Sequence, residues 1–415
     1  MEPSTHTAIC VRFDSQDHYR ELVNDTHAFR AHLLATHNEH PELFPYDFDT
    51  FHFHSMRTRV RLDLPIRRLR IPSTREVFAI RPSFLMPGAI GTTDDFAHPL
   101  NLKRWAVPNE VLAQIFERDP KVYERAMRAL GTFPILTTLF SCATLVPQDL
   151  VADEKFTRLE GERAYIATTA ACGALLGAEL VESSSSKHLH EGYSVVLEQA
   201  RALNPEYRPR SVCLDGFESS KKAWKAVCGS VTVVLCYLHS VLALYKAAGI
   251  HLREQVCKRA WEVYAAESKA SFSQRLRRFD EWANQKLGPG RFEDKVRARV
   301  AKMKAKRDEF TVSYEVKGAH RTSNMVDRVM CIQARHLSAQ RHMRGHLSTA
   351  QATVRAHANV WNFHEYAPRT RRKPGNKERC SPFHDINGFC YADNWLENLL
   401  IAGYAGARRV HEAAS

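Results

Sequence analysis

The chain has 415 residues, 44% of them apolar and 25% charged, which is enough to bury a large core and excludes a disordered polymer. Lysine and arginine number 59 against 46 acids, a formal net charge of +13, and such an excess favours a polyanionic partner, nucleic acid first. The ten cysteines are scattered, several inside apolar runs, so they read as small buried hydrophobes in a reducing compartment rather than as a disulfide framework. No run approaches the apolar length of a membrane span, and the first residues lack the basic-then-apolar layout of a signal peptide; the expected location is the cytosol or nucleoid.

Residues 1–148 form a first region. Within it, Val60, Leu62 and Leu64 alternate with Arg59, Arg61 and Asp63, which predicts a strand with one charged face over residues 57–70. Arg57, Arg59, Arg61, Arg67, Arg68 and Arg70 are candidate DNA phosphate contacts, with a solvated edge strand as the equal competitor. Short helices from Pro108, over residues 121–130 up to Gly131, and from Pro134 are compatible with a helix-turn-helix over 108–142, a pattern any small helical bundle also gives. The region as a whole reads as DNA-binding.

From Asp149 the texture changes. Strands are expected over 149–159, 163–169 and 174–181, separated by turn-like segments, then a helix over 187–203 with an apolar face. A short strand ending at Leu214-Asp215-Gly216, a helix over 219–227 and a strand over 231–236 follow. The order βββ-α-β-α-β is that of an RNase H-like domain, so the fold class is α/β (α+β): a mixed sheet interrupted by an all-helical insertion over 238–310 and resumed over 311–365. Residues 366–415 supply a basic loop, with Arg371, Arg372 and Lys373 as candidate DNA contacts, and an apolar C-terminal helix that docks on the core.

Asp153 lies near the middle of the first strand of this unit. In an RNase H-like sheet that strand runs beside the fourth, which ends at Asp215, and two facing carboxylates repel unless a cation lies between them. Alternation on the strand sends only one of Asp153 and Glu154 to the metal side. A third acid is available at Asp327, at the start of a helix that Ser323 or Asn324 can cap; Asn324 and Asp327, three apart, share a side.

The Asp153-Glu154-Lys155 strand with its Tyr165-Ile166 hairpin, Asp215-Gly216, the Ala223-Trp224 helix, Cys236-Tyr237-Leu238-His239 and Thr322-Ser323-Asn324-Met325-Val326-Asp327-Arg328 together resemble the DDE/DDD transposases of prokaryotic insertion sequences. The nearest branch is the Mutator-like group, with a helical insertion before the last acid and a Cys-x-x-His signature. The resemblance covers roughly residues 100–405. It implies that Asp153, Asp215 and Asp327 bind two Mg²⁺ (or Mn²⁺) ions for cleavage of transposon ends and joining to target DNA, with Glu315 as the alternative third acid because Glu is usual there. Cys236, His239, Asn324 and Arg328 would support them. The implied partner is double-stranded DNA, the terminal inverted repeats and the target, bound by a homodimer or higher assembly.

Cys236 and His239 also have zinc-ligand spacing, but without a second pair nearby only Cys257 or His251 would complete a site, and a buried supporting role is the plainer reading. Trp224 reads as core rather than as a base-stacking residue. Two readings compete with a transposase: a catalytically silent DNA-binding relative acting as a repressor or domesticated element, and another RNase H-like nuclease.

Overall fold

Two mixed β-sheets share one apolar core, and seventeen helices among the described residues cover or extend them. The computed structural model describes residues 5–59, 63–89, 91–339, 343, 345–367, 370 and 379–414, without the side chains of residues 59, 328 and 339.

The first sheet begins with β1 (Ala8–Val11), followed by α1 (Gln16–Asn24) and α2 (Thr26–Glu39), whose first turns are capped by the side chains of Ser15 and Asp25. With β2 (His52–Arg59), β3 (Leu64–Arg70) and β4 (Val77–Pro82) it has the order β1-β4-β3-β2, β1 lying parallel to β4 and the other pairs antiparallel. Residues 57–70 therefore form a hairpin and not the single strand expected. Arg59 pairs with Leu64, and Asp63 turns the chain at a φ of 44°. An alternating pattern has the same period on both sides of a tight turn, so the alternation carries no mark of the reversal. The turn residues 60–62 lie outside the described residues.

Four helices connect the sheets: α3 (Thr93–Arg104), α4 (Asn109–Phe116), α5 (Pro120–Leu130) and α6 (Ile135–Leu139). All five residues of α6 are buried, which leaves it no face to lay in a DNA groove. The outward face of α5 carries exposed Lys121, Arg125 and Arg128.

The second sheet contains β5 (Asp149–Leu159), β6 (Glu162–Ala171) and β7 (Ala174–Val181), an antiparallel meander. After α7 (Ser186–Leu203) the chain enters β8 (Ser211–Leu214), passes through α8 (Glu218–Val227) and returns as β9 (Thr232–Leu235). The strand order is β7-β6-β5-β8-β9, with β5, β8 and β9 parallel. Side chains alternate between two faces. Leu150, Ala152, Val212 and Leu214 join the main core with Leu189, Tyr193 and Val196 of α7 and Trp224 of α8. Val151, Cys213 and Val234 form a separate small cluster with Val326 and Met330 on the other face.

At the β9 edge of this sheet stands a helical block of α9 (Tyr237–Ala247), α10 (Ile250–Tyr264), α11 (Lys269–Lys286), α12 (Arg291–Ala305) and α13 (Arg307–Thr311), with its own apolar cluster running from Leu235 to Phe310. Lys221 on α8 ties this block to the sheet by pairing with both Glu218 and Glu309. The chain then forms α14 (Asn324–Ala339) against β5 and β6, α15 (Leu347–Phe363) against β7 and α5, α16 (Pro382–Asn387) and α17 (Trp395–Ala414). Helix α17 is buried from Trp395 to Arg408 except at Glu397 and lies against α6, α7 and β1, which joins the last residues to the first sheet. Its close approach to α6 requires Gly406: a Cβ there would stand 2.7 Å from the Thr137 carbonyl carbon.

Candidate metal centre

Period-two alternation separates Asp153 from Glu154. Strand β5 is paired in parallel with β8 up to Val151 and Cys213, so Asp153 and Asp215 each lie two residues further along and on the face that carries Val151 and Cys213. Glu154 points the other way, where the hydroxyls of Tyr193 and Ser220 both donate to its Oε1.

Two later segments close over Asp153. The chain leaves β9 through Cys236, and His239 lies in the first turn of α9. Ser323 precedes α14; its carbonyl accepts the first-turn amides of Val326 and Asp327, so Asp327 starts the helix with its side chain turned toward β5. Asp153, His239 and Asp327 each offer one ligand atom, and these atoms lie within 4.8 Å of one another. Among the described residues this is the only group of three or more acid, histidine or cysteine side chains so arranged. No hydrogen bond joins the three directly among the described residues. Ser323 links two of them, His239 and Asp327, its Oγ lying 3.3 Å from His239 Nδ1, 3.1 Å from Cys236 Sγ and 3.5 Å from Asp327 Oδ2, while its backbone N–H donates to Cys236 Sγ at 3.1 Å.

The electrostatics follow from enclosure and like charge. Burial, and then the neighbouring charges of Glu154 and Asp215, push Asp153 up to about 7. Burial also raises Asp327, against the pull of His239. His239 is raised, first by its hydrogen bond with Cys236 and further by Asp153 and Asp327, with burial opposing. Cys236 is lowered, first by a hydrogen bond from the Cys213 thiol and then by His239 and Ser323, again against burial. The donor set fits a divalent cation: two carboxylates that repel, one imidazole held by its Nδ1 side, and a partly enclosed position. Oxygen ligands suit Mg²⁺ and Mn²⁺, and an imidazole tilts the preference toward Mn²⁺.

Asp215 stands beside this group without belonging to it. Its Oδ1 accepts the Phe217 N–H at 2.7 Å and opens the turn into α8, and its second oxygen is the donor available to a second ion. Glu315 lies elsewhere, exposed and paired with Lys269 at 2.7 Å. Asn324 is exposed, and the Arg328 side chain lies outside the described residues. Cys257 and His251 are not part of the group, and His251 pairs with Glu293. Trp224 is fully buried, its ring 4.9 Å from that of Tyr193.

Of the candidate DNA-contacting arginines, Arg57 and Arg70 are exposed and Arg68 is half-buried. Arg67 is not available to a phosphate: it is buried, donates to the Val23 carbonyl at 2.6 Å and stacks over Phe53. An arginine on the inward side of a hairpin uses its guanidinium to satisfy a helix-end carbonyl. Arg59 has its backbone in β2, while Arg61, Arg371, Arg372 and Lys373 lie outside the described residues.

The parts that Ser323 and His239 take in this cluster are only faintly marked in the sequence. Ser323 has as its only signal a position just before a helix, and His239 enters as a third ligand through a Cys-x-x-His spacing that suggests zinc or support. No protein-family model matches the chain, and no curated protein matches it.

Proposed function

We propose that the chain is a DNA transposase of the DDE/DDD type, with an RNase H-like sheet that carries a metal-dependent phosphoryl-transfer site and a helical insertion before the last acid. The observation that carries this reading is the meeting of Asp153 and Asp327, from a central strand and a distant helix, beside Asp215. The strand order β7-β6-β5-β8-β9 with an antiparallel meander first supports the fold assignment, and the net charge of +13 supports DNA as the partner.

In this reading Asp153, Asp327 and His239 hold one divalent cation and Asp215 takes part in holding a second. Mg²⁺ or Mn²⁺ there supplies activation of a water or 3′-hydroxyl and neutralises charge at the scissile phosphate. Ser323 and Cys236 fix the ring of His239 and the first turn of α14, so the two carboxylates meet at a set separation. Glu154, tied to Tyr193 and Ser220, anchors β5 from behind. The first region and the basic loop after residue 366 contribute duplex binding, and two ends held together require at least a dimer. A strand-cleavage and strand-joining assay with Mg²⁺ or Mn²⁺ tests the reading. Binding without cleavage favours a silent DNA-binding relative, and cleavage confined to RNA:DNA hybrids or junctions favours another nuclease.

A further inference from the structure

One groove opens directly beside Asp215 and His239, and its far wall is helix α12. Arg299 and Lys302 of that helix and Lys306, which follows its last residue, line the groove. Positions 299, 302 and 306 follow helical spacing, so the three cations share one face. Their side chains make no ion pair or hydrogen bond among the described residues, whereas two cations on other faces of the same helix are paired, Arg297 with Asp294 and Lys304 with Asp280. Lys306 leans over the turn after Asp215: a Cβ at Gly216, whose φ is 95°, would stand 3.9 Å from its Nζ. Three neighbouring cations, of which only Lys306 feels a nearby carboxylate outside the site, that of Glu218, repel one another, and a polyanion laid between them and the carboxylates relieves that cost.

We infer that this groove is a phosphodiester-strand site: Arg299, Lys302 and Lys306 hold successive backbone phosphates of the DNA strand that runs to the Asp153–Asp327 centre, without reading its sequence. This rests on the transposase reading, since it presumes a DNA strand at that centre. It assigns the helical block a direct part in substrate binding. Contacts to phosphates position a strand and carry no base information, so the effect of losing them is the same on every sequence.

The test measures binding of the full-length protein to a fluorescein-labelled DNA duplex across a salt series. Each lost phosphate contact lowers the slope of log affinity against log salt by about 0.9. The variant Lys302→Ala/Lys306→Ala is expected to lower the slope by about 2 and the affinity about tenfold at moderate salt, with an unchanged thermal melt. Lys258→Ala/Lys286→Ala, which removes two exposed lysines of the same helical block outside the groove, is the control. Lys302→Arg/Lys306→Arg is expected to retain the wild-type slope. An unchanged slope in Lys302→Ala/Lys306→Ala, or an equal loss in the control, overturns the groove while wild-type cleavage leaves the transposase reading standing. A wild-type chain that neither binds nor cleaves DNA overturns that reading, and the groove with it.

Discussion

Asp153 and Glu154 are neighbours on one strand and serve opposite faces of it: Asp153 meets His239 and Asp327, while Glu154 accepts hydrogen bonds from Tyr193 and Ser220. Substitutions at the two positions should therefore separate chemistry from stability. Glu154→Ala strands two buried hydroxyl donors and is expected to cost about 2 kcal/mol or more, read by urea denaturation. Its cleavage rate per folded molecule should stay near wild type. An Asp153→Ala chain should instead lose at least about a thousandfold in rate and keep its DNA affinity.

Asp153 also carries a stability cost when no cation is bound. Its carboxyl is raised to about 7 in the folded chain, so the protonated form is the one the fold favours. That stability is fully present below the unfolded value near 4 and is lost as pH rises through 7. At pH 8 in chelator, Asp153→Asn should therefore stabilise the protein, by an amount on the order of 2 kcal/mol after allowance for solvent screening. A destabilised Asp153→Asn chain under those conditions would contradict this account of the site.

His336 on α14 and His357 on α15 lie with ring centroids 3.7 Å apart and planes tilted by 32°, in an apolar cavity lined by Ile166, Leu175 and Trp361. Burial lowers both, His336 to about 4. Both rings are held neutral, so the unfolded chain binds more protons below pH 6.5. Stability is complete above that value and falls as pH drops toward 4, by about 1.4 kcal/mol per unit for each ring. Melting temperatures across this window should fall steeply for the wild type, and His357→Phe should flatten the slope. A wild-type melt that does not change between pH 6.5 and 4.5 would rule the pair out as a determinant.

Gly131 ends α5 directly against α15, where a Cβ would lie 1.8 Å from the Ala352 carbonyl oxygen. Backbone on both sides must move to admit it. Gly131→Ala is expected to cost more than about 3 kcal/mol, whereas Gly229→Ala, with no atom within 4 Å of its added Cβ, should be nearly neutral. Chemical denaturation of the two variants checks the contrast.

Much of the second sheet is legible from pattern alone. The strands expected over 149–159 and 174–181 coincide with β5 and β7, because these segments are bounded by Glu160-Gly161 and Cys172-Gly173, turn residues with positive φ. The helices over residues 187–203 and 219–227 fall within one residue of α7 and α8. The first sheet is less legible. Its β1 has four residues and pairs with β4 across a long connection, so no local period marks it. Alternation across Asp63 conceals the hairpin of β2 and β3. At the site, spacing points to Asp153 and Asp327, but the approach of His239 depends on how α9 leaves β9, a tertiary fact with no sequence period. Residues 299, 302 and 306 were within reach as a cationic stripe, yet only the fold shows that the stripe faces Asp215.

The central claim is that Asp327, and not Glu315, completes a carboxylate centre for DNA strand chemistry. The most direct measurement is Mn²⁺-dependent nicking of a supercoiled plasmid carrying the DNA that flanks the gene, with wild-type, Asp327→Ala and Glu315→Ala chains compared at equal folded concentration. The account predicts nicking by the wild type and by Glu315→Ala, and none by Asp327→Ala. Nicking by Asp327→Ala at the wild-type rate would contradict it.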